Sequence, residues 1–208
     1  MDKIDKTILS SAVNYEAYHL LMADLVTHQK TKEYTEEQIN YTRMNIVRME
    51  RLDKTTRLLP AVQDFFKELK TPLFFLILTE PWCGDAAQVL PVVQKLASQN
   101  DLLEVGMIMR DQNLEIMDQF LTEGARSIPK IIVLNSSDNQ VLGAWGPRPF
   151  IAQAMIQRGM NQWREMEEGT ARDLFKRDLL TQLQKWYARD KTTSIQEEFS
   201  AFLESLLK

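Results

Sequence analysis

The sequence predicts an α/β fold in which a central four-stranded mixed sheet is flanked by helices, with helical extensions at both ends of the chain. Residues 73–78, LFFLIL, form a continuous apolar run of strand length, which is typical of a buried central strand. Apolar residues then recur at helical spacing over 86–97, and residues 103–109 alternate as a second strand. This order predicts a βαβ unit with a right-handed crossover.

The N-terminal part of the chain is expected to be helical. Residues 5–28 have the apolar spacing of a first helix. Thr35 and Gln38 fit a capping box, so a second helix should begin there and run to about residue 53. A third helix is expected over 59–69, because a proline is tolerated in a first helical turn.

The C-terminal half should complete the sheet and then become helical. A short helix is expected over 114–121, followed by an antiparallel hairpin over 131–145, whose two strands are separated by turn-forming residues. In the helical tail, Gly169 interrupts the pattern. Ser194 and Glu197 fit a second capping box and predict the start of the last helix.

Composition and charge narrow the classes of function. The chain has 208 residues, of which 44% are hydrophobic, so it can bury a sizeable core. A net charge of -4 makes nucleic acid an unfavourable partner. No apolar run approaches the roughly 18 residues of a membrane span, and the N-terminus lacks the pattern of a secretory signal. We therefore expect a cytoplasmic protein with no membrane partner.

The chain contains a single cysteine, Cys83, so it cannot form an intramolecular disulfide. The two histidines, His19 and His28, would lie on nearly opposite faces of a helix. One cysteine and two separated histidines make no zinc-ligand cluster. We therefore expect no bound metal or cofactor, and the function of Cys83 depends on its surroundings.

Cys83 lies in the turn Trp82-Cys83-Gly84-Asp85-Ala86, between the apolar strand and the following helix. Unsatisfied N–H groups and the positive end of the helix dipole favour a thiolate at such a position, which can lower the cysteine pKa. The carboxylate of Asp85 would oppose this effect, so the net sign stays open. We expect Asp85 to cap the helix in preference to transferring protons. Gly84 permits a tight approach, and Trp82 offers an apolar surface beside the sulfur.

The turn resembles the WCGPC motif of the thioredoxin family, and Pro91 matches the proline that kinks the family's active-site helix. The resemblance covers about residues 58–165 and implies a thioredoxin-like domain between helical extensions over 1–57 and 166–208. The four-stranded core is similar to that of glutaredoxins. The helical ends resemble those of bacterial thioredoxin-like proteins that have a WCGD-type turn.

The resemblance also implies a substrate site. Residues 124–130 resemble the family segment that contains a cis-proline facing the active cysteine, which makes Ile128-Pro129 the candidate cis bond; local sequence alone predicts a trans proline at the start of a strand. Substrate would contact Ser127, Ile128 and Pro129 together with Trp82, Gly84 and Asp85.

Two groups of the family are missing from this chain. The second cysteine of the motif corresponds to Ala86, and the family's buried acid corresponds to Ile77. What remains is monothiol exchange on a protein or small-molecule disulfide, with Cys83 as nucleophile and an external thiol such as glutathione completing the reaction. The alternatives are an inert Cys83 in a non-catalytic protein-binding module and a glutathione-dependent metal or iron–sulfur carrier. The oligomeric state stays open.

Several arginines are further candidates for this site. Arg48 and Arg51 share an arc of the second helix with apolar residues. They either extend to solvent or pair with nearby glutamates, or they approach the cysteine turn, where they would offset Asp85 or hold an anionic substrate. The same alternatives apply to Arg126 and Arg148, which flank the predicted substrate face.

Overall fold

The computed structural model describes residues 2–28 and 34–208 of the chain. The strands are β1 (Leu73–Thr79), β2 (Leu103–Met109), β3 (Lys130–Asn135) and β4 (Val141–Trp145). The α-helices are α1 (Lys6–Ser11), α2 (Tyr15–Thr27), α3 (Glu36–Thr55), α4 (Pro60–Glu68), α5 (Ala86–Ala97), α6 (Leu114–Met117), α7 (Phe150–Glu165), α8 (Thr170–Asp190) and α9 (Thr193–Leu206).

The four strands form one mixed sheet in the order β2-β1-β3-β4. Strands β1 and β2 are parallel, whereas β3 is antiparallel to both β1 and β4. The central strand β1 is buried along its length except at Phe74, which explains its continuous apolar run. The predicted βαβ unit, hairpin and four-stranded mixed sheet are confirmed.

Helix α5 connects the cysteine turn to the rest of the sheet and is buried on nearly every side. It packs against β2, α3, α4 and α9. A helix covered in this way needs an apolar surface all round, which accounts for its alanines, valines and leucines. Pro91 lies inside this helix, where the family resemblance placed it.

The first expected helix is interrupted. Val13 instead pairs with Met107 at the free edge of β2, through two backbone hydrogen bonds of 2.9 and 2.8 Å. Asn14 then caps α2, because its side-chain oxygen accepts from the Ala17 N–H at 2.8 Å. The prediction of one helix over 5–28 is therefore wrong, and the break covers part of an exposed sheet edge.

The two predicted capping boxes have different outcomes. The box formed by Thr35 and Gln38 is confirmed by reciprocal hydrogen bonds of 3.2 and 2.8 Å. The box expected at Ser194 and Glu197 is wrong, because α9 begins at Thr193. Asp190 at the end of α8 accepts the Ser194 N–H at 3.1 Å, so a tight turn between two helices replaces the local cap.

Both ends of the chain pack on the sheet and share its hydrophobic core. Helix α9 lies close to β4, since a Cβ at Gly143 would be only 2.8 Å from the Leu206 side chain. The predicted boundaries of the thioredoxin-like domain, at 57/58 and 165/166, stay a prediction. Within residues 2–28 and 34–208, no helix is long and apolar enough to cross a membrane. Core residues from the two ends include Ile4, Tyr18, Met22, Met49, Leu179, Leu183, Tyr187, Ile195, Phe199 and Leu203.

Phe199 provides a test of this packing. It is fully buried, and its ring contacts Phe66, Phe75 and Trp145 with centroid distances of 6.3, 5.4 and 5.6 Å. Phe199→Ala should lower the free energy of unfolding by about 3–5 kcal/mol in a urea titration. Leu180→Ala, at a position that is 40% exposed, is the control and should change it by less than about 1 kcal/mol. Similar losses in the two variants would contradict an integral α9.

Candidate functional site

The sulfur of Cys83 lies between the first turn of α5 and the loop that precedes β3. Cys83 is 7% exposed. Its thiol donates to the carbonyl oxygen of Ile128 at 3.3 Å, and the sulfur accepts the N–H of Ala86 at 3.5 Å. The thiol therefore faces the loop that the family resemblance assigned to substrate.

The Ile128-Pro129 peptide bond is cis, in agreement with the resemblance and against the trans bond that local sequence favours. A second cis bond, Gly146-Pro147, was not predicted. Gly146 has φ +112°, and a Cβ there would collide with the Pro129 carbonyl oxygen, so only glycine fits where these two loops touch. The predicted site residues differ in exposure. The buried ones are Cys83, Asp85, Ile128 and Pro129, and the half-buried ones are Trp82, Gly84 and Ser127.

The structure gives the sign of the Cys83 pKa shift that the sequence left open. Burial raises the pKa of the thiol to about 12, and the Asp85 carboxylate adds to this increase. The N–H groups of Ala86 and Asp85 and the charge of Arg148 act in the opposite direction but are weaker. In the conformation described, the thiol is therefore protonated at neutral pH.

Asp85 is the residue before α5, but its side chain does not fulfil the predicted capping role. One carboxylate oxygen accepts from Arg148 at 2.5 Å, and the other accepts from the hydroxyl of Tyr187 at 2.8 Å. The prediction of a helix cap is therefore wrong, because both oxygens bind groups from distant elements. Asp85 links the cysteine turn to the β4–α7 loop and to α8.

The partners of Asp85 respond to its charge. Burial by itself lowers the pKa of Arg148, but the adjacent carboxylate outweighs this effect and the pKa is raised. Burial and the same carboxylate raise the pKa of Tyr187 well above its ordinary value. Arg148 also donates to Gln153 at 2.8 Å. Asp85 and Arg148 thus form a partly buried ion pair.

The other three arginines that the sequence proposed for the site differ in whether they reach the cysteine turn. Arg126 forms an exposed ion pair with Asp118 at 2.6 Å, and Arg51 is exposed. Arg48 is half-buried and reaches the cysteine turn, since a Cβ at Gly84 would lie 3.6 Å from its Nη1. Of the two arginines that the sequence placed on this helix, now α3, only Arg48 approaches the cysteine turn. The arginine that pairs with Asp85 is Arg148.

Asn45 connects α3 to the loop before the cysteine. It is fully buried, and its side-chain amide donates to the Pro81 carbonyl oxygen at 2.9 Å. Its oxygen accepts from Arg48 Nη1 at 2.9 Å. Sequence analysis missed Asn45 because a polar residue in the middle of a helix has no local signal of such a contact.

Glu80 is a buried carboxylate three residues before Cys83. It accepts the Asp111 N–H at 2.9 Å, and burial raises its pKa. The side chain at Ile77, the position of the family's buried acid, is apolar and fully buried. Glu80 is therefore a second buried acid near Cys83, besides Asp85, at a position that the family pattern did not indicate.

Lys130 is a buried base directly after the cis-proline. Its ammonium group donates to Thr122 Oγ1 at 2.6 Å and to the Gly146 carbonyl oxygen at 3.1 Å. Burial lowers its pKa to about 8. Lys130 therefore links the loop that precedes β3 to the loop that follows β4. Among residues 2–28 and 34–208, no three His, Cys, Asp or Glu side chains converge as a metal site would require.

Asp85→Asn should activate the thiol. Removing the carboxylate leaves the positive charge of Arg148, so the pKa of Cys83 should fall by about one unit or more. Because only the thiolate is alkylated, the rate with iodoacetamide at pH 8 should rise about tenfold or more. Asp118→Asn, in an exposed pair, is the control and should leave the rate unchanged. An unchanged or slower rate in the Asp85 variant would contradict this assignment.

Comparisons with known proteins support the same fold. A family model described as Thioredoxin matches residues 31–167. Thioredoxin 1 of Synechococcus elongatus is 34% identical over 67 residues, which are 31% of this chain and 60% of that protein. Thioredoxin 1 of a Nostoc species is 31% identical over 78 residues, 36% of this chain and 69% of that protein. The chain thus spans well under the full length of these relatives.

Two solved structures resemble the whole chain. A protein of unknown function from Pseudomonas aeruginosa has a TM-score of 0.58 at 17% identity, covering 95% of each chain. An HIV epitope scaffold has a TM-score of 0.57 at 16% identity, covering 96% of each chain. These likenesses show the fold, including the helices at both ends. Because the family model matches more than half of the residues, the chain belongs to the thioredoxin family.

Proposed function

We propose that the chain is a monothiol thiol–disulfide oxidoreductase with Cys83 as its nucleophile. The observation that carries the proposal is the 3.3 Å contact between the thiol and the Ile128 carbonyl oxygen at the cis bond to Pro129. This contact places the sulfur beside a backbone carbonyl of the loop that precedes β3, and this loop is the edge on which a substrate strand would dock. Membership of the thioredoxin family supports the same chemistry.

The reaction proceeds in two exchanges. The Cys83 thiolate attacks one sulfur of a disulfide, forms a mixed disulfide and releases the other sulfur as a thiolate, which takes up a proton. An external thiol, such as glutathione or another low-molecular-weight thiol, then attacks the mixed disulfide and returns Cys83 to the thiol. The external thiol attacks the substrate sulfur of the mixed disulfide, so one half of the substrate has left as a thiol and the other half is joined to the external thiol as a disulfide. One substrate sulfur is thus reduced and the external thiol is oxidised. The second step needs an external thiol because Ala86 stands where a second cysteine would act.

Substrate docking would favour the first step. In the conformation described, the thiol donates to Ile128 and its pKa is about 12, so the thiolate is scarce at neutral pH. A substrate N–H that donates to the same carbonyl oxygen would compete with the thiol for its acceptor. Loss of that hydrogen bond favours the thiolate. We therefore propose that Cys83 reacts with docked protein or small-molecule disulfides in preference to small electrophiles, in the reducing environment of the cytoplasm.

A second candidate is a non-catalytic protein-binding module that uses the same cleft. One observation favours it specifically: burial raises the pKa of Cys83 to about 12, which is the property of an inert thiol. In this case Cys83→Ser would keep the partner with unchanged affinity. In the monothiol oxidoreductase, the same variant would lose the mixed disulfide.

The ratio of two reaction rates distinguishes the candidates. Both iodoacetamide and a thiopyridyl disulfide of a short unstructured peptide need the thiolate, so the ratio of their rates cancels the thiol pKa. The rate with the peptide is measured by thiopyridone release and divided by the rate with iodoacetamide. This ratio should be about ten times or more higher for Cys83 than for a surface cysteine, because docking orients the disulfide.

The matched control is Leu20→Cys in a Cys83→Ser background, since Leu20 is 66% exposed. A buried inert thiol would react with the larger peptide disulfide more slowly, relative to iodoacetamide, than this control does. A ratio for Cys83 at or below the control would therefore reject the oxidoreductase and leave the binding module.

A further inference from the structure

Helices from both ends of the chain meet over Gly84, directly beside Cys83. A Cβ at Gly84 would lie 3.6 Å from Arg48 Nη1 on α3 and 3.3 Å from Gln184 Nε2 on α8. Gly84 itself is half-buried. Two N–H donors thus lie in close contact with Gly84, with hardly room for a methyl group between them and the backbone. Neither donor belongs to the sheet or to its connecting helices.

The two donors are held in place by their neighbours. Arg48 uses Nη1 to bind Asn45, which in turn binds the Pro81 carbonyl oxygen. The Gln184 side-chain oxygen accepts from Gln88 at 2.7 Å. With the oxygen held in this way, the Nε2 group of Gln184 lies on the side of Gly84. Preorganised donors of this kind lose little conformational entropy when a ligand binds.

Among the described residues, Arg48 differs from the other half-buried arginines because it has no carboxylate partner. In the part of the chain that the structure describes, no carboxylate forms an ion pair with Arg48, and burial lowers its pKa. A half-buried cation without a counterion is costly, so this position is suited to an anion from another molecule. By contrast, ion pairs with carboxylates are formed by Arg110, Arg126, Arg148 and Arg172.

We propose that Arg48 and Gln184 form a carboxylate-binding subsite for the disulfide substrate of Cys83. A guanidinium and an amide N–H are matched to the two oxygens of a carboxylate. The carboxylate belongs either to a small disulfide or to an acidic residue beside the disulfide of a protein. This inference rests on the proposed exchange at Cys83 and adds the class of substrate that the turn selects.

The first test compares two small disulfides of similar length, anionic 3,3′-dithiodipropionate and neutral 2-hydroxyethyl disulfide. Mass spectrometry gives the rate of adduct formation at Cys83 with each. In the wild-type protein the anionic disulfide should be favoured, and Arg48→Gln should lower the anionic-to-neutral ratio about tenfold. Arg48→Lys keeps the charge and should retain most of the preference.

Arg51→Gln is the matched control, because it removes the same charge from an exposed position on the same helix. Its ratio should stay within twofold of the wild-type value. Equal ratios in the Arg48 and Arg51 variants would overturn the subsite. If neither disulfide reacts with Cys83, the proposed exchange fails, and a binding measurement decides the subsite separately.

That measurement uses the Cys83→Ser protein, which cannot form the adduct. Titration with 3,3′-dithiodipropionate should shift the Gly84 backbone N–H resonance in a saturable manner, and the shift should be lost when Arg48→Gln is added. No saturable shift, or an equal shift with 2-hydroxyethyl disulfide, would overturn the subsite. Thiopyridyl peptides with Asp or Asn beside the cysteine identify the source: faster reaction of the Asp peptide indicates a protein substrate, and equal rates indicate a small one.

Discussion

The ion pair between Asp85 and Arg148, completed by the Tyr187 hydroxyl, is the interaction that holds the site together. It joins the start of α5, the loop after β4 and the helix α8, three elements that are far apart in the sequence. Removing one partner of a buried pair leaves an uncompensated charge, at a typical cost of about 3–5 kcal/mol. The cysteine turn therefore depends on Arg148 for its position, and Tyr187 of α8 adds a hydrogen bond to the same carboxylate.

The same packing decides the state of the thiol. At the exposed start of a helix, the dipole and the free N–H groups would stabilise a thiolate. Here the Ile128 loop covers the sulfur, and the loss of hydration outweighs the N–H groups of Ala86 and Asp85. The charges of Asp85 and Arg148 act on the thiol in opposite directions. Burial of Cys83, more than its place on the helix, thus sets the direction of the shift in the thiol pKa.

The sequence was sufficient where structure depends on local pattern. The apolar run at 73–78, the helical spacing after it and the hairpin over 131–145 predicted the sheet, and the family resemblance identified the cis bond at Pro129. The sequence was insufficient where contacts between distant residues override the local preference. Asp85 has the usual position of a helix cap, but Arg148 and Tyr187 lie 63 and 102 residues away. Val13 likewise leaves the predicted helix to pair with Met107.

The absence of a second cysteine gives the added helices a particular importance. A two-cysteine turn releases its mixed disulfide by internal attack, whereas in the proposed monothiol exchange a turn with Ala86 would keep the substrate attached until an external thiol arrives. During that time the orientation of the adduct depends on non-covalent contacts around the turn. Arg48 and Gln184 lie beside Gly84, and in the proposed subsite they would hold the attached group and so influence which sulfur of the mixed disulfide is exposed to the external thiol. Substrate entry and release would then depend on the same two side chains.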